Sequence, residues 1–157
     1  MRKIKIPSGE LTNIPFLKKL AGFNKPLILS TGMANLSDVN NAVNTVSNNK
    51  DYPLILLVCT SEYPTPPKSV NILKLKSLAN AFPGLILGFS DHTQGIEASI
   101  AATAPTNIDA IDKKIIICLH SSINPPNGSR QNLYIKAIPA NFGTIAKKAV
   151  IAVGAPS

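Results

Sequence analysis

The chain has no tryptophan, only two cysteines, 5% aromatic residues and 15% charged residues over its 157 positions. Scarce aromatics leave little to build a stacking platform for single-stranded nucleic acid. Two cysteines, Cys59 and Cys118, do not make a disulfide framework and fit a reducing, cytoplasmic setting, where both read as small buried hydrophobes. No apolar stretch approaches the roughly 20 residues needed to span a bilayer. The start, Met1 to Pro7, is too short in its apolar part for a signal peptide. The expectation is therefore neither a nucleic-acid nor a membrane partner. What is present is 45% hydrophobic residues, enough for one core and a single domain. The net charge of +8 is spread over lysine pairs (Lys18-Lys19, Lys113-Lys114, Lys147-Lys148) and suits a solvated surface or a phosphorylated small molecule.

Apolar runs end abruptly in polar clusters. Ile4 to Ile6 leads into Pro7-Ser8-Gly9-Glu10, and Pro26 to Leu29 into Ser30-Thr31-Gly32-Met33. Leu54 to Val58 leads into Cys59-Thr60-Ser61-Glu62-Tyr63-Pro64-Thr65-Pro66, Leu85 to Phe89 into Ser90-Asp91-His92-Thr93, and Ile108 to Ile111 into Asp112. The clusters recur every 22 to 31 residues, room for a strand, a loop and a helix. Helical periodicity predicts helices over 13–20, 38–46 with Ser37 as N-cap, 70–82 and 95–104. Beyond Lys113, Ile115 to Leu119 could continue the last strand, 124–129 reads as a loop and 144–153 as a closing helix. The fold class is α/β, either an open doubly wound sheet or part of a barrel. In such folds chemistry sits at the C-terminal strand tips.

Taken singly, the polar residues have bland readings. A serine at a strand end commonly caps a helix, and Lys5 could be a surface lysine. A lone histidine such as His92 or His120 is commonly structural. Tyr63 could anchor its loop through its ring, while Asp91 and Thr93 suit loop orientation or capping of the following helix.

In order and spacing, however, Lys5–Glu10, Leu29–Met33, Cys59–Pro66 and Gly88–Thr93 resemble the sialic acid synthase family of N-acetylneuraminate, legionaminate and pseudaminate synthases. That resemblance implies a (β/α)8 TIM barrel, here partial, holding about strands 4 to 8. It implies condensation of phosphoenolpyruvate with an N-acetylated amino sugar such as N-acetylmannosamine, assisted by a divalent metal, usually manganese. By the same likeness Lys5, Ser8, Ser30, Ser61, Tyr63 and Ser90 bind the substrates, and Ser61 stands where the family often has Asn. The resemblance also implies that His92 ligates the metal and that Asp112 (usually Glu) handles protons, with Glu10 expected to assist. A family homodimer is also implied.

The chain departs from the family after about residue 112, leaving 113–157 as a divergent tail on one truncated barrel domain. The resemblance puts a second metal-binding histidine where Lys114 stands, and an ammonium offers no lone pair to a cation. Pro125-Pro126-Asn127 is a relic of a Pro-Gly-Pro-Asp loop. Three barrel strands and a C-terminal antifreeze-like domain have no counterpart, so exposed sheet edges, poor solubility and weak or no activity are expected. The alternative is a non-catalytic remnant that binds phosphate, phosphoenolpyruvate or a protein partner.

Overall fold

In a computed structural model, the structure describes residues 3–47 and 53–103 together with the strands Ile115–Leu119, Tyr134–Ile138 and Val150–Ala152. Strand β1 (Ile4–Ile6) is followed by helix α1 (Ile14–Ala21), β2 (Leu27–Ser30), α2 (Leu36–Val46) and β3 (Leu54–Val58). Then come α3 (Lys74–Ala81), β4 (Ile86–Asp91), α4 (Glu97–Thr103), β5 (Ile115–Leu119), β6 (Tyr134–Ile138) and β7 (Val150–Ala152). All seven strands form one sheet in chain order. β1 to β5 pair in parallel, and β5–β6 and β6–β7 are antiparallel.

This order separates the two α/β alternatives. A doubly wound sheet reverses its strand order at a switch point and carries helices on both faces. Here the order never reverses, and residues of all four helices join one apolar cluster. Leu17 and Leu20 of α1, Val39, Ala42 and Val46 of α2, Leu75, Leu78 and Ala79 of α3 and Ala102 of α4 meet Ile6, Leu27, Leu29, Leu56, Val58, Leu87 and Phe89. Because side chains alternate along a strand, the residues between these point to the opposite face. In register across that second face lie Lys5, Ile28 and Ser30, then Ile55 and Leu57, then Ile86, Gly88 and Ser90. Ile28, Ile55 and Leu57 are buried as well, so these strands are apolar on both sides, as parallel strands usually are.

Several sequence expectations change. The cap of α2 is Asn35, not Ser37: its side chain accepts from the Asp38 N–H while the Asp38 carboxylate accepts from the Asn35 N–H, both at 3.0 Å. That reciprocal box satisfies two helix-end donors, which a cap two residues later could not do. The helix expected from Val70 begins only at Lys74, after a short 3-10 turn over Pro67–Ser69. The fourth helix is shorter than expected, Glu97–Thr103, with Gly95 at positive φ just before it. A closing helix over 144–153 is contradicted at Val150–Ala152, which pairs with β6; two β-branched residues in sequence suit an extended edge. The antiparallel strands β6 and β7 extend a sheet expected to hold five parallel strands. The expected strand over 108–111 and the loop over 124–129 lie outside the described residues. Among the described residues no helix is long and apolar enough to cross a membrane.

The cap assignment has a direct consequence. Asn35→Ala is expected to lower unfolding free energy by about 1 kcal/mol, and Ser37→Ala by less than about 0.5 kcal/mol, in paired urea denaturation curves.

Candidate functional site

The C-terminal ends of β1 to β4 all lie on one edge of the sheet, and the polar clusters follow directly from them. At β4 the chain places Ser90 and His92 two residues apart, both buried, at 2% and 5% exposure. The His92 ring is held at both nitrogens. Nδ1 lies 2.6 Å from the Thr60 carbonyl oxygen, which can only accept, so Nδ1 carries the proton of the neutral ring. Nε2 then offers its lone pair to the Ser90 hydroxyl at 3.2 Å and the Tyr63 hydroxyl at 3.1 Å, both donating. Tyr63 also stacks on the imidazole, ring centroids 4.1 Å apart at 25°. The His92 carbonyl accepts from the Thr65 N–H at 2.8 Å. The loop after β3 is thus stitched to the tip of β4 through one residue.

Tyr63 is mostly exposed, 60%, and covers the buried histidine like a tile. Partial burial raises its phenol above the ordinary value near 10, and a negative charge on nearby Cys59 would push in the same direction.

A second knot joins the first three strand tips. The Ser8 hydroxyl oxygen accepts from the Gly32 N–H at 3.0 Å and lies 3.3 Å from Cys59 Sγ. Gly32 is required by close approach: a Cβ there would stand 2.7 Å from Ser61 Oγ, 2.8 Å from Cys59 Sγ and 3.0 Å from Ser8 Oγ. Ser8, Cys59 and Ser61 therefore converge on one backbone amide. Thr31 next to it turns its hydroxyl to the Leu57 carbonyl, which fastens the tip of β2 to β3.

The remaining sequence candidates are placed as follows. Lys5 is exposed and in register with Ile28, on the same sheet face as Ser30 and Ser90. Ser30 is 4% exposed at the tip of β2, and its hydroxyl has no hydrogen-bond partner among the described residues. Glu10 accepts from the side-chain amide of Asn13 at 2.8 Å, so its carboxylate serves the N-terminal end of α1 rather than the histidine cluster. Asp112, Lys114 and His120 lie outside the described residues.

Other contributors were not singled out from sequence. Thr60 acts through a main-chain carbonyl, which no side-chain pattern reveals. Gly32 carries no chemistry of its own in the sequence, and its role depends on the three side chains that two other loops bring near it. Cys59 is buried like the small hydrophobe its type suggests, yet its sulfur faces the Ser8 hydroxyl.

For a divalent metal the donor set is thin. An imidazole whose Nδ1–H is fixed by a carbonyl is the arrangement that metal-ligating histidines use. Among the described residues, however, no group of three or more His, Cys, Asp or Glu could hold an ion. Among the described residues His92 therefore has no companions that would complete a metal site.

Comparison with known proteins gives a consistent set of relatives. The NeuB family matches residues 1–113. N,N'-diacetyllegionaminic acid synthase of Campylobacter jejuni is 51% identical over 106 residues, 66% of this chain and 31% of the relative. Pseudaminic acid synthase of Helicobacter pylori is 32% identical over 125 residues, 80% of this chain and 36% of the relative. In structure, N-acetylneuraminic acid (sialic acid) synthetase of Leptospira borgpetersenii superposes with a TM-score of 0.65 at 30% identity, over 76% of this chain and 39% of that one. The spore coat polysaccharide biosynthesis protein spsE of Bacillus subtilis gives a TM-score of 0.67 at 33% identity, over 81% and 34%. The chain spans about a third of the length of the curated relatives it matches.

Two expectations follow from the geometry. Gly32→Ala should destabilise the fold by about 1–3 kcal/mol, because the new methyl group meets three side chains at once, and calorimetric unfolding reads the loss. In a spectrophotometric titration, the difference between wild type and Tyr63→Phe should show a phenol with its midpoint above 10. Since the folded value is the higher one, Tyr63's contribution to stability is intact below pH 10 and falls as pH rises through the folded midpoint.

Proposed function

The chain belongs to the NeuB family, and on that premise we propose that its strand-tip site is the substrate pocket of a sialic-acid-type synthase. The Campylobacter jejuni and Helicobacter pylori relatives are named as synthases of legionaminic and pseudaminic acid, so the chain is an enzyme by family and a member of a carbohydrate-biosynthetic group. The observation that carries the finer reading is the convergence of Ser8, Ser61, Tyr63, Ser90 and His92 at one end of successive parallel strands, with Lys5 and Ser30 on the same face as Ser90. Ligands of parallel α/β folds bind at that end.

In this reading the pocket takes phosphoenolpyruvate and an open-chain N-acetylated amino sugar. The new bond forms between the methylene carbon of phosphoenolpyruvate and the sugar's aldehyde carbon. Water adds to the resulting cationic centre, the carbon–oxygen bond to phosphate breaks, and inorganic phosphate leaves. The Lys5 ammonium neutralises the anionic end of phosphoenolpyruvate. The Ser30 hydroxyl, without a partner among the described residues, donates to the same anion together with Ser8, and Ser90 would have to release His92 Nε2 to join them. Tyr63 and Ser61 border the amino sugar, and holding both reactants together is the principal catalytic contribution open to such a pocket. Glu10 and Asp112 are the proposed proton carriers; Glu10 would have to exchange Asn13 for the substrate. Manganese is the metal the resemblance implies, but since His92 has no companions for it among the described residues, no step is assigned to it.

The singly wound sheet with its helices on one face is read as an arc of a (β/α)8 barrel, about strands 4 to 8, working in the cytoplasm. An arc that encloses its reactants on one side controls water poorly, so weak or absent turnover is proposed for the 157-residue chain. Binding without turnover is the second reading, favoured by the thin donor set around His92.

Calorimetric titration of the chain with phosphoenolpyruvate tests the anion site. Saturable binding is expected, weakened about tenfold or more by Lys5→Ala and by Ser30→Ala, roughly 1.4 kcal/mol each. No binding, or binding indifferent to both substitutions, would sink the reading. Phosphate release with N-acetylmannosamine and manganese then separates the two forms: appreciable turnover favours a working enzyme, and none favours a binding remnant.

A further inference from the structure

Asp91 is the last residue of β4 and is 2% exposed. By strand alternation it faces the helical layer, on the opposite side of the sheet from Ser90. Its Oδ1 accepts from the Thr93 N–H at 2.9 Å and from the Thr93 hydroxyl at 2.7 Å. Its Oδ2 accepts from the hydroxyl of Ser99, on α4. Thr93 and Ser99 are themselves buried, at 8% and 6% exposure. Among the described residues these three neutral donors are its hydrogen-bond partners. Taking a carboxylate out of water is costly, and the three bonds offset that only while their geometry is kept.

The clamp brackets a single residue. Asp91 and Thr93 flank His92, and closing the 91–93 turn from behind sets the backbone from which the imidazole departs. That ring must reach the Thr60 carbonyl at 2.6 Å through Nδ1 while Nε2 meets Ser90 and Tyr63. A short bond to a carbonyl fixed on another loop tolerates little rotation of the donor.

We propose that Asp91 is a positioning residue for His92: with Thr93 and Ser99 it fixes the imidazole as the Nδ1–H tautomer, leaving the Nε2 lone pair to the Ser90 and Tyr63 hydroxyls. This deepens the synthase reading by naming what orients the histidine among the described site residues, but it does not depend on turnover. Without the clamp the ring loses the Thr60 carbonyl and moves toward the Nε2–H form that a free histidine side chain favours in water.

Nitrogen-15 NMR of His92 in the full 157-residue chain at about pH 8, where imidazole is neutral, reads the tautomer directly. The wild-type chain should show a pyrrole-type Nδ1 and a pyridine-type Nε2. Asp91→Ala should give mixed or reversed shifts, whereas Asp91→Asn should keep the wild-type pattern, its amide oxygen taking the Thr93 donors and its NH2 donating to Ser99. If Asp91→Ala does not fold, the Thr93→Val/Ser99→Ala pair removes two of the three bonds, and the same mixing is expected. A folded Asp91→Ala or paired variant that keeps the wild-type tautomer while losing only thermal stability would show a merely structural role and overturn the proposal. So would Asp91→Asn behaving like Asp91→Ala. Phosphoenolpyruvate binding is scored separately, so loss of the synthase reading and loss of this one are distinguishable.

Discussion

Parallel pairing in strict chain order is the constraint on which the rest of this structure depends. Each of β1 to β4 returns to the sheet through a helix, and every helix packs on the same face. With side chains alternating along each strand, one set (Ile6, Leu29, Leu56, Leu87) is committed to the helices and the other to the opposite face. A slip of one residue in any strand would turn Ser30 or Ser90 toward the helical layer and a leucine or phenylalanine toward the pocket. The chemistry-bearing residues are therefore held in place first by apolar register and only then by polar contacts.

The polar contacts act at the next level, between loops. Two residues carry most of the linkage: Ser8, whose oxygen takes the Gly32 amide proton, and His92, which ties to the β3 loop through its ring and its carbonyl. Both bonds cross between loops that follow different strands, so neither loop can be arranged without the other. Asp91 works behind this arrangement, on the helical side of β4. The two layers of the structure thus meet at the tip of one strand, where consecutive residues Ser90, Asp91 and His92 bond to the polar cluster, to the helix and to the polar cluster again.

Legibility in the sequence followed the range of the interactions. The four strands beginning at Ile4, Leu27, Leu54 and Ile86 were readable because a strand buried on both faces leaves a continuous apolar run. Helix existence was readable from periodicity, but the ends were not: Asn35 and Ser37 are both good caps by type, and only the reach of Asp38 back to Asn35 decides between them. The shortened start at Lys74 reflects Pro66 and Pro67, which favour a tight turn before the helix proper. At the C-terminal end Val150–Ala152 is a strand because β6 lies beside it, a partner that local periodicity does not announce. Of the site, Ser8, Ser61, Tyr63, Ser90 and His92 were legible as ordered motif members. Thr60 was not, since its carbonyl is common to all residues; the Glu10 carboxylate accepts from the capping Asn13, a contact that local pattern does not announce.

The amino-acid sequence by itself determined the class of fold, the order of strands and helices from β1 to α4, the family, and which residue types stand at the strand tips. These depend on periodicity, composition and ordered motifs, all local in the chain. Tertiary structure alone decided that every helix lies on one face, that Gly32 must lack a side chain, that His92 carries its proton on Nδ1, and that Tyr63 covers it. Each of those depends on groups brought together from different strands, among them Thr60 and His92, separated by 32 residues. Contacts across such separations are set by how elements pack, and a local pattern does not encode them.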